Sequence, residues 1–228
     1  RIDTRLKENG FYYFSENNLL VQVDSTVGKY EVDLILKIKE ESTDQSREQF
    51  RINDIIVYPN FSVNDTIKGE ETAAKSYKDF TIIDKENTFD SRVFDRALYF
   101  DKDDMYNRTD HNLSLNRLVN LGTFKFVKNS FQPADTTGNY LDAYYYLTPL
   151  PKKSFRVEVL GKTNSANYTG TELNVNWSNR NTFKGAELLS ISTFGGLEFQ
   201  TSGQNNGFNV YRIGGETSIV WPRFITPF

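Results

Sequence analysis

The sequence contains no cysteine, which removes disulfides and thiolate metal sites from its possible chemistry. It has a single histidine, His111. No histidine-rich metal site can be built around one imidazole, and no nucleophile-elbow motif accompanies it to suggest a Ser/His/Asp set. No apolar stretch reaches the roughly 18 residues that a transmembrane helix needs. That absence leaves membrane strands open, because only alternate residues of a barrel strand face lipid and the signal is correspondingly weak. Strong charge is missing too: the net charge of −3 is too mild to point to a nucleic-acid partner. The chain opens on Arg1 with no Met and no signal-like segment. It starts inside a helical pattern, so it reads as a piece of something longer.

What is present leans toward strands. The 228 residues allow one or two domains. Hydrophobic residues at 38% and charged residues at 25% are ordinary for a globular chain. The aromatic share is not: 18 Phe, 13 Tyr and 2 Trp give 14%. Aromatic, Thr-rich and Asn-rich sequence favours pleated, half-buried surfaces.

Three regions follow one another. Residues 1–40 look like the end of a small α/β unit: a short charged helix stopped at Gly10, then apolar segments at 19–24 and 30–38 joined by a hairpin turn at 25–29. Residues 41–49 are polar and read as a linker. Residues 50–150 give the order β-α-α-β-β. The first strand is 50–58, with Ile52, Ile55 and Val57 expected in the core. The stretch 60–88 is polar and irregular, with room for a short strand at 80–83. Asp90 is placed as the N-cap of a helix over 91–99 whose buried face is Val93, Phe94, Ala97 and Leu98. A second helix over 108–121 carries Leu115, Leu118 and Leu121 on one side and stops at Gly122. Strands at 124–131 and 141–148 complete the unit. In residues 153–228 helical periodicity disappears. Four segments of about ten residues, the length a tilted barrel strand needs, alternate apolar and polar positions. Trp177, Trp221 and Phe224 sit near segment ends, where interfacial aromatics belong. The same alternation also describes a four-stranded sheet of a soluble protein with one face buried.

Single residues add little chemistry. His111 reads as a solvated residue on a polar helix turn. The run 101–104 lacks the glycine and the final glutamate of a calcium loop, since Tyr106 and Asn112 stand at those places. Gly195–Gly196 and Gly214–Gly215 lie inside alternating segments and relieve crowding or bend a sheet rather than cradle phosphate. The sequons at Asn60, Asn107 and Asn167 carry no structural message. Arg156 and Glu158 alternate with the apolar positions of their segment, and ordinary polarity explains them as well as an ion pair does.

Four stretches together resemble the BamA/TamA superfamily. Residues 117–131 (RLVNLGTFKFVKNSF) are similar to the second helix, glycine stop and following strand of a POTRA module. Residues 6–34 resemble the same stretch of the preceding module. Residues 179–192 (NRNTFKGAELLSIS) resemble the periplasmic turn and third barrel strand, and residues 214–228 (GGETSIVWPRFITPF) the fourth strand and its turn. The TamA-like branch fits better, through the NRN-x-F-x-GAE turn and the WPRF strand end.

The resemblance implies α+β POTRA modules followed by antiparallel transmembrane barrel strands. Residues 1–40 would be the C-terminal part of one POTRA module, 50–150 a complete one, and 153–228 the first four strands of the barrel. It implies an outer-membrane location with the POTRA modules in the periplasm, and no enzymatic activity or cofactor. The implied partners are unfolded outer-membrane protein clients, outer-membrane lipid and a periplasmic or inner-membrane protein. Phe155, Arg156, Val157, Glu158, Val159, Leu160 and Gly161 would form the gate strand at the barrel seam, with Arg156 and Glu158 facing the lumen. Phe124, Lys125, Phe126, Val127 and Lys128 would form the edge where a client strand adds by β-augmentation. A BamA-type insertase, a secretion pore and a periplasmic binding adapter are the alternative functions. Four strands cannot close a membrane barrel, which starts at about eight.

Overall fold

The computed structural model describes residues 1–28, 30–62, 74–134, 138–163, 165, 168–200 and 209–222. The secondary structure is mostly antiparallel strand with few helices. The chain divides into two compact units, each discontinuous in sequence. The first comprises Arg1–Lys85, Phe94–Asn120 and Phe126–Thr148; the second comprises Glu86–Val93, Leu121–Lys125 and Pro149–Phe228.

The first unit opens with helix α1 (Ile2–Lys7) and the two-stranded antiparallel hairpin β1 (Leu19–Gly28) and β2 (Glu31–Ile38). The hairpin is longer than its sequence suggests. Residues 25–28, expected in the turn, continue β1 past a register shift between Asp24 and Gly28. Every residue of β2 is exposed. Within the polar stretch 41–49, Asp44–Arg47 forms a short 3-10 helix.

Strands β3 (Arg51–Tyr58), β4 (Ala74–Tyr77), β5 (Phe80–Ile83), β6 (Phe124–Pro133) and β7 (Tyr140–Pro149) form a five-stranded sheet in the order β4-β5-β3-β7-β6. Strand β3 runs parallel to both its neighbours. Of the polar stretch after β3, residues 63–73 lie outside the described residues. The core alternates as a half-covered sheet should: Ile55 and Val57 of β3 and Leu141, Ala143, Tyr145 and Leu147 of β7 have no exposure. Ile52 is equally buried although it lies three residues from Ile55. A register shift between them puts two core residues an odd number apart, as a β-bulge does. The side chain of Asp142 satisfies the bulged backbone, accepting from the Asp54 N–H at 3.3 Å and from the Asn53 amide at 2.7 Å.

Helices α2 (Arg92–Ala97) and α3 (Arg108–Asn120) lie between β5 and β6 in sequence. Asp90 accepts from the N–H of Arg92 at 2.9 Å, the short-range bond of a helix-start cap. Phe94 is fully buried, with Ala97 and Leu98 nearly so. On α3 the buried positions are Ser114 and Leu118, while Leu115 and Leu121 are only half-buried. Ser114 earns its place in the core by hydrogen bonding: its hydroxyl donates to the Asp110 carbonyl at 2.8 Å and accepts the Tyr99 N–H at 2.9 Å, where α2 has ended. Gly122 then stops α3 in the left-handed region at φ 66°. His111 is half-buried rather than a free surface residue. It packs edge-on against Phe131 and lies 3.2 Å from the Tyr106 hydroxyl, and burial followed by the Arg108 charge lowers its pKa below the ordinary 6.5.

The second unit is built on a four-stranded antiparallel sheet, β8 (Lys153–Thr163), β9 (Tyr168–Arg180), β10 (Leu188–Gln200) and β11 (Val210–Val220), in the order β11-β10-β9-β8. Among the described residues the sheet is open, with β8 and β11 as its two edges.

Candidate strand-pairing site

The register of the four-stranded sheet sorts its side chains by parity. Phe155 pairs with Trp177, Trp177 with Ile191, and Ile191 with Thr217. Odd residues pair with odd residues at every interface, without a bulge, so they share one face throughout. That face carries Phe155, Val157, Val159, Leu173, Val175, Leu189, Ile191, Leu197, Phe199, Tyr211, Ile213 and Ile219, and Lys153 at its very start is its one charged residue. The even face carries every other charged residue of the sheet, mixed with Leu160, Leu188, Phe194, Val210 and Val220. Lys162 pairs with Glu172 and Arg212 with Glu198 across strands, and Arg156 lies 3.6 Å from Glu158 along β8. Gly214 sits beneath its pairing partner Phe194, whose ring would be 2.5 Å from an added Cβ.

Both faces are open to the surroundings. Phe155, Val157 and Val159 are 67%, 51% and 73% exposed, and all residues of β8 count as exposed. The strands are 11 to 13 residues long, enough to cross a hydrocarbon core at barrel tilt.

The predicted pairing residues lie on edges. Phe155–Gly161 are within β8, which is hydrogen-bonded to β9 and has no strand on its other side among the described residues. Phe124–Lys128 open β6, the outer strand of the five-stranded sheet beyond β7. Lys125, Phe126 and Lys128 are exposed, Val127 is half-buried, and Phe124 is buried with its ring against Phe89. An edge strand displays unpaired N–H and C=O groups, and in hydrocarbon each uncompensated group costs several kcal/mol. Such an edge binds another extended chain through main-chain bonds, with no catalytic side chain required. Trp177 and Trp221 both lie toward the end of the sheet where β9 and β11 finish. Phe224 lies outside the described residues.

At that end, residues 181–187 join β9 to β10 in a turn that the periodicity of the sequence does not single out. Three non-glycine residues adopt left-handed backbone: Asn181 at φ 57°, Lys184 at φ 65° and Ala186 at φ 61°. Each such residue costs about 1–2 kcal/mol, less for Asn, and persists only where its surroundings hold it. Glu187 supplies much of the hold. It is fully buried, and its carboxylate accepts the N–H groups of Phe183 and of Gly185, the latter at 2.9 Å. The Asn181 N–H donates to the Glu187 carbonyl at 2.7 Å, and the Asn181 side-chain oxygen accepts the Ala186 N–H at 3.0 Å. The outer side of the turn is bonded as well. The Asn181 amide donates to the Thr88 carbonyl at 2.8 Å, the Asp90 N–H donates to the Lys184 carbonyl at 2.8 Å, and the Thr123 hydroxyl donates to the Ala186 carbonyl at 3.2 Å. Phe183 stacks on Trp221 at 5.8 Å between ring centroids. The signals in the sequence are Asn181, Gly185 and an acid one residue before a strand.

Among the described residues no group of acidic or histidine side chains could hold a metal ion. No helix is long and apolar enough to cross a membrane, which says nothing of a β-barrel.

No family model matches the chain, and no curated protein matches it. Among solved structures it is similar to BamA from Haemophilus ducreyi lacking POTRA domains 1–3, at 11% identity and a TM-score of 0.44, over 96% of this chain and 39% of that one. It is similar to CdiB from Acinetobacter baumannii at 17% identity and a TM-score of 0.48, over 85% of this chain and 28% of that one. A third likeness, to POTRA3–5 of Haemophilus influenzae BamA, has 14% identity and a TM-score of 0.26, over 64% of this chain and 76% of that one. The chain thus spans about two fifths of the H. ducreyi BamA structure and under a third of the CdiB structure.

Proposed function

We propose that the chain is the junction of an outer-membrane assembly or translocation protein of the BamA/TamA superfamily, where periplasmic POTRA modules meet the first strands of a membrane barrel. On this reading residues 1–40 end one POTRA module, 41–49 link it to the next, 50–150 are that complete module, and 153–228 begin the barrel. The observation that carries the reading is the four-stranded sheet. Its odd face is largely apolar with a single charge, its even face holds all the other charges, and among the described residues it ends in the edge strand β8. In lipid the odd face needs no further protein cover, and the edge must find a partner strand. An unfolded outer-membrane protein strand supplies one by β-augmentation, and β6 offers extended polypeptide a second edge on the periplasmic side. The TamA-like branch rests on the NRN-x-F-x-GAE turn and the WPRF strand end.

The test is photo-crosslinking from Arg156 in lipid-reconstituted protein during assembly of an outer-membrane client. Adducts to a client strand are expected. Proline at Val157 and at Glu158, one of which removes an outward N–H, should reduce them in one register more than the other. Undiminished adducts in both variants would refute main-chain pairing at β8. Proline at Val127 and at Lys128 asks the same of β6.

A further inference from the structure

We propose that Glu187 is a positioning residue that holds together the node from which both candidate pairing strands start. Strand β6 begins one residue after Thr123, and β8 begins three residues after Leu150. Thr123 ties the two starts to each other and to the turn. Its carbonyl accepts the Leu150 N–H at 2.8 Å, and its hydroxyl donates to the Ala186 carbonyl at 3.2 Å. A second tie comes from Arg180, the last residue of β9. Its N–H donates to the Lys152 carbonyl at 2.7 Å, and its guanidinium reaches the Pro151 carbonyl at 3.3 Å. The third tie is the Asp90 N–H on the Lys184 carbonyl, which anchors the segment leading into α2.

All three ties end on or beside the turn 181–187, and that turn is held from inside by one carboxylate. A turn glutamate is ordinarily solvated, whereas Glu187 has no exposure and spends both its oxygens on N–H groups of its own turn. Among the described residues those two donors have no strand partner to replace it. Lys184 lies between them and Ala186 directly after them, each in left-handed backbone that needs an external hold. Gly185 is fitted to the carboxylate: an added Cβ there would stand 2.9 Å from the Glu187 Oε2. Neutralising Glu187 therefore loosens the carbonyls of Lys184 and Ala186, and with them the starts of α2, β6 and β8. The consequence for client pairing rests on the function proposed above; the positioning role does not.

Amide hydrogen exchange on the full chain, read without any client, tests this. In Glu187→Gln the Phe183 and Gly185 amides should exchange roughly tenfold faster or more, the scale of a lost charge-assisted hydrogen bond. The Asp90 and Leu150 amides, which are not bonded to Glu187, should accelerate with them. Val175 and Ser192, inside the inner strands β9 and β10, should keep their protection. Acceleration confined to Phe183 and Gly185, or none at all, would overturn the proposal. If Glu187→Gln fails to fold, Thr123→Val gives the same reading from the other side. Faster exchange at Gly185 and Asp90 supports the node, and unchanged rates there overturn it. A chain that captures no client leaves this test untouched, so the two ideas fail separately.

Discussion

The two large sheets of this molecule share one sequence rule and put it to opposite uses. In the five-stranded sheet, alternation separates buried from exposed: Leu141, Ala143, Tyr145 and Leu147 are sealed in the core. In the four-stranded sheet, alternation separates a nearly charge-free face from the charged one while both faces stay open, and Phe155, Val157 and Val159 are each more than half exposed. Covering apolar area contributes roughly 25 cal/mol per Å². The first unit has Phe94, Leu98 and Leu118 from its helices to place in such a core. The second sheet gains that stabilisation from its surroundings, which on the proposed reading are lipid. Periodicity reports how a strand sorts its side chains; it does not report what stands on the other side.

The largest expected effect probes the protein core. Phe94→Ala should cost the first unit about 3–5 kcal/mol, as truncation of a fully buried ring does. Denaturant unfolding followed by near-UV circular dichroism measures it. A loss below about 1 kcal/mol would mean that this core is not the tight one described.

Next comes the contrast within the second sheet. Val175→Arg places a charge on the odd face and should cost about 2–4 kcal/mol when the protein folds into a bilayer. Asn174→Arg, one residue away on the even face, should cost much less. Equal costs in lipid-folding titrations would erase the distinction between the faces.

A smaller effect belongs to the helix start. Asp90→Ala removes the bond to the Arg92 N–H and should cost about 1 kcal/mol in the same unfolding assay.

The smallest is a pH effect on the first unit. Burial lowers the His111 pKa below the ordinary 6.5, so the unfolded chain binds a proton in a range where the folded chain does not. Stability should therefore fall as pH drops from 7 through 6.5 toward the lowered folded value, then level off. His111→Gln should remove that slope. Asp101 and Asp110, both raised mainly by burial, act in the opposite sense nearer the carboxylate range and are common to both proteins. Identical slopes for the two would show that His111 does not titrate with folding.

Much of this was legible in the residues, for definite reasons. Strong periodicity and punctuation placed the strand at Phe80–Ile83, the helices around Asp90 and Gly122, and the four alternating segments. The contacts that cross the chain were not legible. Ile52, Ile55 and Val57 fit no single period until the bulge against Asp142 is known. Ser114 carries no signal of burial in the sequence, because its partner, the Tyr99 N–H, lies outside α3. His111 looked solvated because Tyr106 and Phe131 reach it through the fold. Glu187 reads as part of the NRN-x-F-x-GAE turn, but nothing local says that its carboxylate turns inward onto Phe183 and Gly185. The two edge strands were legible as strands from periodicity, while their positions at the edges were expected only from the resemblance and are given by the sheet order.

The central claim is that the odd face of the four-stranded sheet meets hydrocarbon and the even face does not. With no native cysteine, single Cys substitutions can be spin-labelled one at a time in bilayer-reconstituted protein. Labels at Val157, Val175, Ile191 and Ile213 should collide with oxygen dissolved in the lipid, and labels at Glu158, Asn174, Ser192 and Arg212 with a water-soluble nickel chelate. Alternation of this kind along all four strands is the predicted result. Chelate access at both sets of positions, or no alternation at all, would contradict the account.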